Sequence, residues 1–221
     1  MKKTAQPIAD DATHTPENDQ NSPVELRTKV FVLGFPKSGT STLQKAFTEA
    51  GLRSAHWLTD EGFCGQLVYK SYFSGRSPLA LLNTYDCITQ ADVCLPDNGI
   101  NFWPNLDIQI IIDIHQRHPE CLLIMNKRNI DDLIVSLSRW SDFRARITKS
   151  DIPGLPRGYG DDDEHLRMWI ERHYRLMDQL FINNDKYLQF HIEDKNCKEL
   201  IEDKMKIKLP WWGVANKNPT Y

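Results

Sequence analysis

The stretch from Lys29 to Gly51, KVFVLGFPKSGTSTLQKAFTEAG, constrains the fold more than any other part of the chain. Val30-Phe31-Val32-Leu33 is a short unbroken apolar run, the pattern of a strand buried on both faces of a parallel sheet. Leu43, Ala46, Phe47 and Ala50 then recur at spacings of three and four, which predicts an amphipathic helix closing on Gly51. Between strand and helix lies Gly34-Phe35-Pro36-Lys37-Ser38-Gly39-Thr40. Such a turn suits phosphate because the first N–H groups of a helix lack internal partners and the helix dipole favours negative charge there. Gly34 and Gly39 let the backbone curl round an anion, Lys37 adds a cation, and Ser38, Thr40, Ser41 and Thr42 add four hydroxyls. The segment reads as a strand–loop–helix that holds the 5′-phosphate end of a nucleotide.

The rest of the chain fits one domain. At 221 residues it can bury one sizeable core, and its 40% apolar and 26% charged content is ordinary for a globular protein. A net charge of −3 argues against nucleic acid or a membrane surface held by bulk charge, so any bound anion needs a local site. No apolar run approaches the roughly 18 residues of a membrane span, and the polar stretch after Met1-Lys2-Lys3 has no signal-peptide core. Five scattered cysteines form neither a metal pattern nor a disulfide framework and read as free thiols, so a cytoplasmic protein is expected.

Residues 1–27 read as a disordered tail and 28–221 as the folded domain. A second strand is expected over Arg53–Trp57, beside the first, and a third over Tyr85–Val93. Residues 60–83 read as irregular helix, 95–105 as loop, and Leu106–Arg117 as amphipathic helix. Strand Cys121–Asn126, helix Ile130–Trp140, helix Glu164–Phe181, strand Tyr187–His191 and helix Asn196–Met205 follow. The Gly/Pro/Asp-rich segment 149–163, with Arg157, reads as an ordered loop or a lid, and Asp161–Glu164 as an acidic helix start. Strands alternating with helices predict a three-layer α/β domain of P-loop type with a mainly parallel sheet.

The ATP-binding form of the turn reads G-x-x-x-x-G-K-[ST], with Lys straight after the second Gly. Here Thr40 stands in that place, and Lys37 comes two residues before Gly39. The charge is shifted to the front of the loop, which suits the β/γ-phosphates and magnesium of a kinase poorly.

Pro36-Lys37-Ser38-Gly39-Thr40 after an apolar strand resembles the 5′-phosphosulfate loop of the sulfotransferase superfamily, which uses 3′-phosphoadenosine 5′-phosphosulfate (PAPS). The superfamily's second signature is an Arg at a later strand end and a Ser eight residues on; Arg128 and Ser136 have that spacing. Guanidinium is suited to clamping a phosphate, and a nearby hydroxyl completes its hydrogen bonds.

The resemblance implies transfer of a sulfuryl group from PAPS to a hydroxyl or amine of a small-molecule, saccharide or peptide acceptor. Adenosine 3′,5′-bisphosphate would be released, and no metal is expected. It assigns Pro36, Lys37, Ser38, Gly39, Thr40, Ser41, Thr42, Arg128 and Ser136 to the nucleotide and Lys37 to catalysis. Lys217 is a further candidate for the 3′-phosphate. A general base is expected at a strand end near the loop, with Asp92 first, then His56, then Asp60 or Glu61. Thr42 replaces the adenine-stacking aromatic of the cytosolic members. The tail Trp211-Trp212-Gly213, Tyr85-Asp86 and Ile152–Pro156 are more similar to compact bacterial members. The competing expectations are a small-molecule kinase with an unusual loop and a non-catalytic nucleotide-binding protein of the same fold.

Overall fold

A computed structural model describes residues 29–215, so the tail 1–27 and Lys217 lie outside the described residues. The chain forms an α/β sandwich around five parallel strands: β1 (Val30–Val32), β2 (Ser54–His56), β5 (Cys87–Gln90), β8 (Leu122–Lys127) and β9 (Tyr187–His191). Two short antiparallel strands, β3 (Leu58–Thr59) and β4 (Gly62–Phe63), extend one edge. The full order is β4-β3-β2-β5-β1-β8-β9. A separate hairpin pairs β6 (Val93–Leu95) with β7 (Ile100–Phe102). The helices are α1 (Thr40–Glu49), α2 (Cys64–Phe73), α3 (Ile108–Arg117), α4 (Ile130–Ser138), α5 (Phe143–Thr148), α6 (Asp163–Phe181) and α7 (Cys197–Met205).

The apolar run of β1 is buried throughout because it sits mid-sheet with a helical layer on each face. Its alternate residues serve two cores. Phe31 and Leu33 join Ile111, Leu133, Ile170 and their neighbours, while Val30 and Val32 join Leu43, Phe47 and Ile201. The three-layer expectation follows from this division.

Several boundaries differ from the sequence reading. β2 does not lie beside β1, because β5 is inserted between them and pairs with both. The chain thus leaves β1 toward one edge and later crosses to the other, opening a crevice at the carboxyl end of β1 where ligands of such sheets bind. The expected strand Tyr85–Val93 breaks after Gln90, and Val93 turns away into the β6–β7 hairpin. Asn98-Gly99, with Gly99 at φ 70, makes that turn inside the stretch read as loop. Residues 60–83 hold the β3–β4 turn before α2, and α5 was not foreseen. The acidic helix start is borne out: the Asp162 carboxylate caps α6 by accepting from the Glu164 N–H. All five cysteines are free and buried. Among the described residues no helix is long and apolar enough to cross a membrane.

Candidate functional site

The loop between β1 and α1 is fixed by side chains from the strands and helices behind it. His173 Nε2 donates to the Leu33 carbonyl at 2.9 Å, and Asn105 Nδ2 donates to the Gly34 carbonyl at 3.0 Å. The Ser38 hydroxyl donates to the Phe35 carbonyl at 2.6 Å. Asn126 Nδ2 donates to both the Ser38 carbonyl and hydroxyl, at 2.9 and 2.8 Å. Arg128 Nη1 takes the Lys37 carbonyl at 2.8 Å. Phe35 is wholly buried against the edges of Trp169, His173 and Tyr174. With these carbonyls drawn away, the loop leaves the α1 N-terminus to face the crevice, as an anion requires. Two glycines make the curl possible. A Cβ on Gly34 would lie 2.0 Å from Asn126 Oδ1, and Gly39 sits at φ 95 with Ile192 against it. Lys37 itself holds φ 68, a left-handed conformation costing a side-chain-bearing residue about 1 kcal/mol or more.

The crevice is a cleft of about 900 Å³ lined by Lys37, Gly39, Thr40, Ser41 and Thr42 from the loop and α1. His56 and Trp57 follow from β2, and Gln90 from β5. Arg128, Ser136, Arg139 and Trp140 come from β8 and α4. Ile192 and Glu193 follow β9, and Trp212–Val214 close the remaining side. Three cations against one carboxylate make this a local positive field in a chain of net charge −3. Burial lowers the pKa of Lys37, and the Arg128 guanidinium lowers it further. Its ammonium stands 5.6 Å from the centroid of Trp140. Arg128 and Ser136 therefore share one cleft with the loop. Lys127, the residue before, turns inward to pair with Asp178.

The structure sorts the expected hydroxyls into two pairs. Thr40 and Ser41 face the cleft: Thr40 donates to Gln90 Oε1 at 3.3 Å, and Ser41 Oγ lies 3.4 Å from His56 Nε2. Ser38 is wholly buried and braces the loop, so the expectation that its hydroxyl meets phosphate is corrected. Pro36 is likewise buried and absent from the lining. Thr42 holds the C-terminal segment, donating to the Gly213 carbonyl at 2.9 Å and accepting from the Ala215 N–H at 3.4 Å. Thr42 thus brings Trp212 to the cleft. Trp211 turns the other way, under the Lys45 ammonium.

The candidate bases separate as clearly. Asp92, expected first, is 2% exposed and lies beyond the end of β5, behind Gln90. One carboxylate oxygen accepts from Gln90 Nε2 at 3.0 Å; the other is buried without a partner in the described structure. Asp60 and Glu61 sit exposed at the β3–β4 turn, where Tyr85 donates to Glu61. His56 alone of the four lines the cleft. Its Nδ1 is 3.1 Å from Thr89 Oγ1, and that hydroxyl donates its proton to the Ala55 carbonyl at 3.0 Å. Thr89 can then only accept, so Nδ1 carries the hydrogen and Nε2 presents its lone pair on the Ser41 side. The segment 149–163 is no lid over this cleft. It packs on α6, with Trp169 donating to the Pro153 carbonyl, and Arg157 pairs with Asp151 at the surface.

No model of a known protein family matches the chain, and no curated protein matches it. Among the described residues no group of three or more His, Cys, Asp or Glu is placed to hold a metal ion. Sequence reasoning missed Asn105, Asn126, His173, Gln90 and Glu193. A polar signal did mark Asn126, a wholly buried amide closing the apolar run LLIM in a strand buried throughout.

Burial sets a pH signature for this region. It brings His56 and His173 down to about 4 and raises Asp92 to about 7. Between about pH 5 and 6 the unfolded chain has both imidazoles protonated and Asp92 ionised, while the folded chain has the reverse. Unfolding then takes up two protons and releases one. These three groups make stability rise with pH by about 1.4 kcal/mol per pH unit. Asp92→Asn removes the released proton, so urea unfolding of this variant should show a pH slope steeper than wild type by about another 1.4 kcal/mol per unit. An unchanged slope would mean that Asp92 is ionised in the folded protein.

Proposed function

We propose that this protein is a sulfotransferase that moves a sulfuryl group from PAPS to a hydroxyl or amine of an acceptor. The observation that carries the reading is one cleft holding a braced, cation-fronted loop together with Arg128 and Ser136 from the next strand and helix. A nucleotide with phosphates on both its 5′ and 3′ oxygens needs two anion positions; a nucleoside 5′-phosphate needs one. On this reading β1, the loop and α1 form a P-loop-type unit whose lysine is placed for sulfuryl rather than γ-phosphoryl chemistry. A cleft of about 900 Å³ has room for nucleotide and acceptor together. A cytoplasmic location goes with this reading.

PAPS, when bound, supplies a sulfur that the acceptor oxygen or nitrogen attacks while the bond from sulfur to the phosphate oxygen breaks. The protein's part is to hold and to neutralise. The loop N–H groups and Lys37 stabilise the charge that grows on the departing oxygen. Thr40 and Ser41 add hydrogen bonds beside them, and Arg128 with Ser136 fixes the 3′-phosphate and so the register of the nucleotide. Trp212 offers a stacking face for the base. His56 Nε2, already an unprotonated acceptor, takes the proton the acceptor loses. An anionic nucleotide nearby raises its basicity toward the working pH.

Sulfate-labelled PAPS offered with a panel of phenols, alcohols, saccharides and amines should label at least one acceptor. His56→Gln should lower that labelling about 10²–10⁴-fold. Nucleotide binding without transfer to any acceptor would favour the non-catalytic reading, and magnesium-dependent ATP consumption the kinase reading.

A further inference from the structure

Among the residues lining the cleft, Glu193 is the one carboxylate, and it stands against the cation assigned to the 3′-phosphate. Its Oε1 lies 3.4 Å from Arg128 Nε. Both side chains are part-exposed, 30% for Arg128 and 44% for Glu193, so each is open to the cleft and to solvent. The backbone on either side of Glu193 is pinned. The Ile192 N–H donates to the Lys127 carbonyl at 2.8 Å, and the Asp194 N–H donates to the His191 carbonyl at 2.9 Å. These bonds therefore fix the Glu193 backbone beside Arg128 and leave the side chain free to swing.

We propose that Glu193 is a built-in competitor of the nucleotide's 3′-phosphate for Arg128, weakening the bound bisphosphate and speeding its release. The inference rests on the two-phosphate reading of the cleft. Arg128 is held from two sides, and the two contacts differ in kind. The Lys37 carbonyl belongs to a loop braced by Asn105, Asn126 and His173 and stays in place. The Glu193 carboxylate has flexible methylenes behind it, and among the described residues Arg128 is the one cation within ion-pair distance of it. A phosphate arriving at the guanidinium meets this like charge and must displace it or share the donor with it. A nucleotide gripped at both ends leaves slowly, and product release limits many enzymes. A carboxylate that moves in as the phosphate moves out offsets that grip. An exposed ion pair is weak enough to be exchanged in this way.

The test compares Glu193→Gln with wild type, full chain in each case, using adenosine 3′,5′-bisphosphate and adenosine 5′-phosphate as probes. Calorimetry gives the affinities, and stopped-flow displacement gives the release rates. Glu193→Gln should bind the bisphosphate about three- to fivefold more tightly, chiefly through slower release, with the 5′-phosphate changed less than about twofold. Equal tightening of both probes would overturn the proposal in favour of a general field effect. Weaker binding of the bisphosphate would overturn it too, making Glu193 a residue that positions Arg128; so would no change. A wild-type protein that fails to distinguish the two probes would instead remove the reading of the cleft on which the proposal stands. Glu193 is exposed, so matching thermal unfolding of the two proteins confirms that the comparison is between folded states.

Discussion

Lys37→Ala is expected to lower sulfuryl transfer about 10²–10³-fold while weakening bisphosphate binding far less. The asymmetry follows from where the charge lies. Lys37 stands at the front of the loop, its pKa lowered by burial and by Arg128, with its ammonium above Trp140. On the proposed reading, the ground-state nucleotide is already held by loop N–H groups and by Arg128 at its other end. Under the same reading the lysine matters most where negative charge grows on the departing oxygen, which is a transition-state interaction. Alanine keeps a Cβ at φ 68, so the backbone strain is neither relieved nor increased and the fold should not change. Single-turnover kinetics with PAPS, read beside calorimetry of the bisphosphate, separates the two effects. Parallel loss of both would make Lys37 a binding cation only.

Gly34→Ala is the change expected to damage the molecule most. The new methyl would lie 2.0 Å from Asn126 Oδ1, 2.6 Å from Asn126 Cγ and 2.8 Å from Ser38 Oγ, all inside the buried brace of the loop. Neither neighbour can yield cheaply, because Asn126 and Ser38 are wholly buried and hydrogen-bonded to each other. Overpacking of this kind costs about 1–3 kcal/mol. Moving Asn126 would also strand the Ser38 carbonyl, adding a further cost of about 1–3 kcal/mol. Urea unfolding should record the loss of stability, and nucleotide binding should fall with it. Gly39→Ala makes a useful contrast. Its obstacle is the flexible Ile192 side chain together with φ 95, so local strain at the α1 N-terminus is expected with less damage behind the loop.

What the sequence shows and what it hides divide along chain distance. β1, the loop and α1 are contiguous, so their apolar run, glycine spacing and helical periodicity could be read directly. Arg128 and Ser136 lie on one strand end and the helix after it; their spacing alone signals nothing, and it was the resemblance that singled them out as a pair, which the structure places in one cleft. The brace of the loop is different. Asn105, Asn126 and His173 reach Gly34, Ser38 and Leu33 from 71, 88 and 140 residues away, and no local pattern encodes such contacts. The insertion of β5 between β1 and β2 was hidden for the same reason, since strand order is decided by packing across the whole sheet. Asp92 shows a subtler failure. The strand-like pattern continues through Val93, but the chain leaves the sheet after Gln90, so the residue facing the cleft is Gln90 and Asp92 is sealed behind it. His56, ranked second from sequence, is the candidate base whose placement and tautomer suit the task.

Calorimetric titration of the wild-type protein with adenosine 3′,5′-bisphosphate and with adenosine 5′-phosphate, repeated for Arg128→Ala, tests the two-phosphate cleft most directly. The bisphosphate should bind at least about tenfold more tightly than the 5′-phosphate, as a charge-assisted contact of about 1.5–3 kcal/mol requires. Arg128→Ala should erase that preference while leaving the 5′-phosphate bound. Equal affinity for the two nucleotides in the wild-type protein, or a preference that survives the loss of Arg128, would contradict the account.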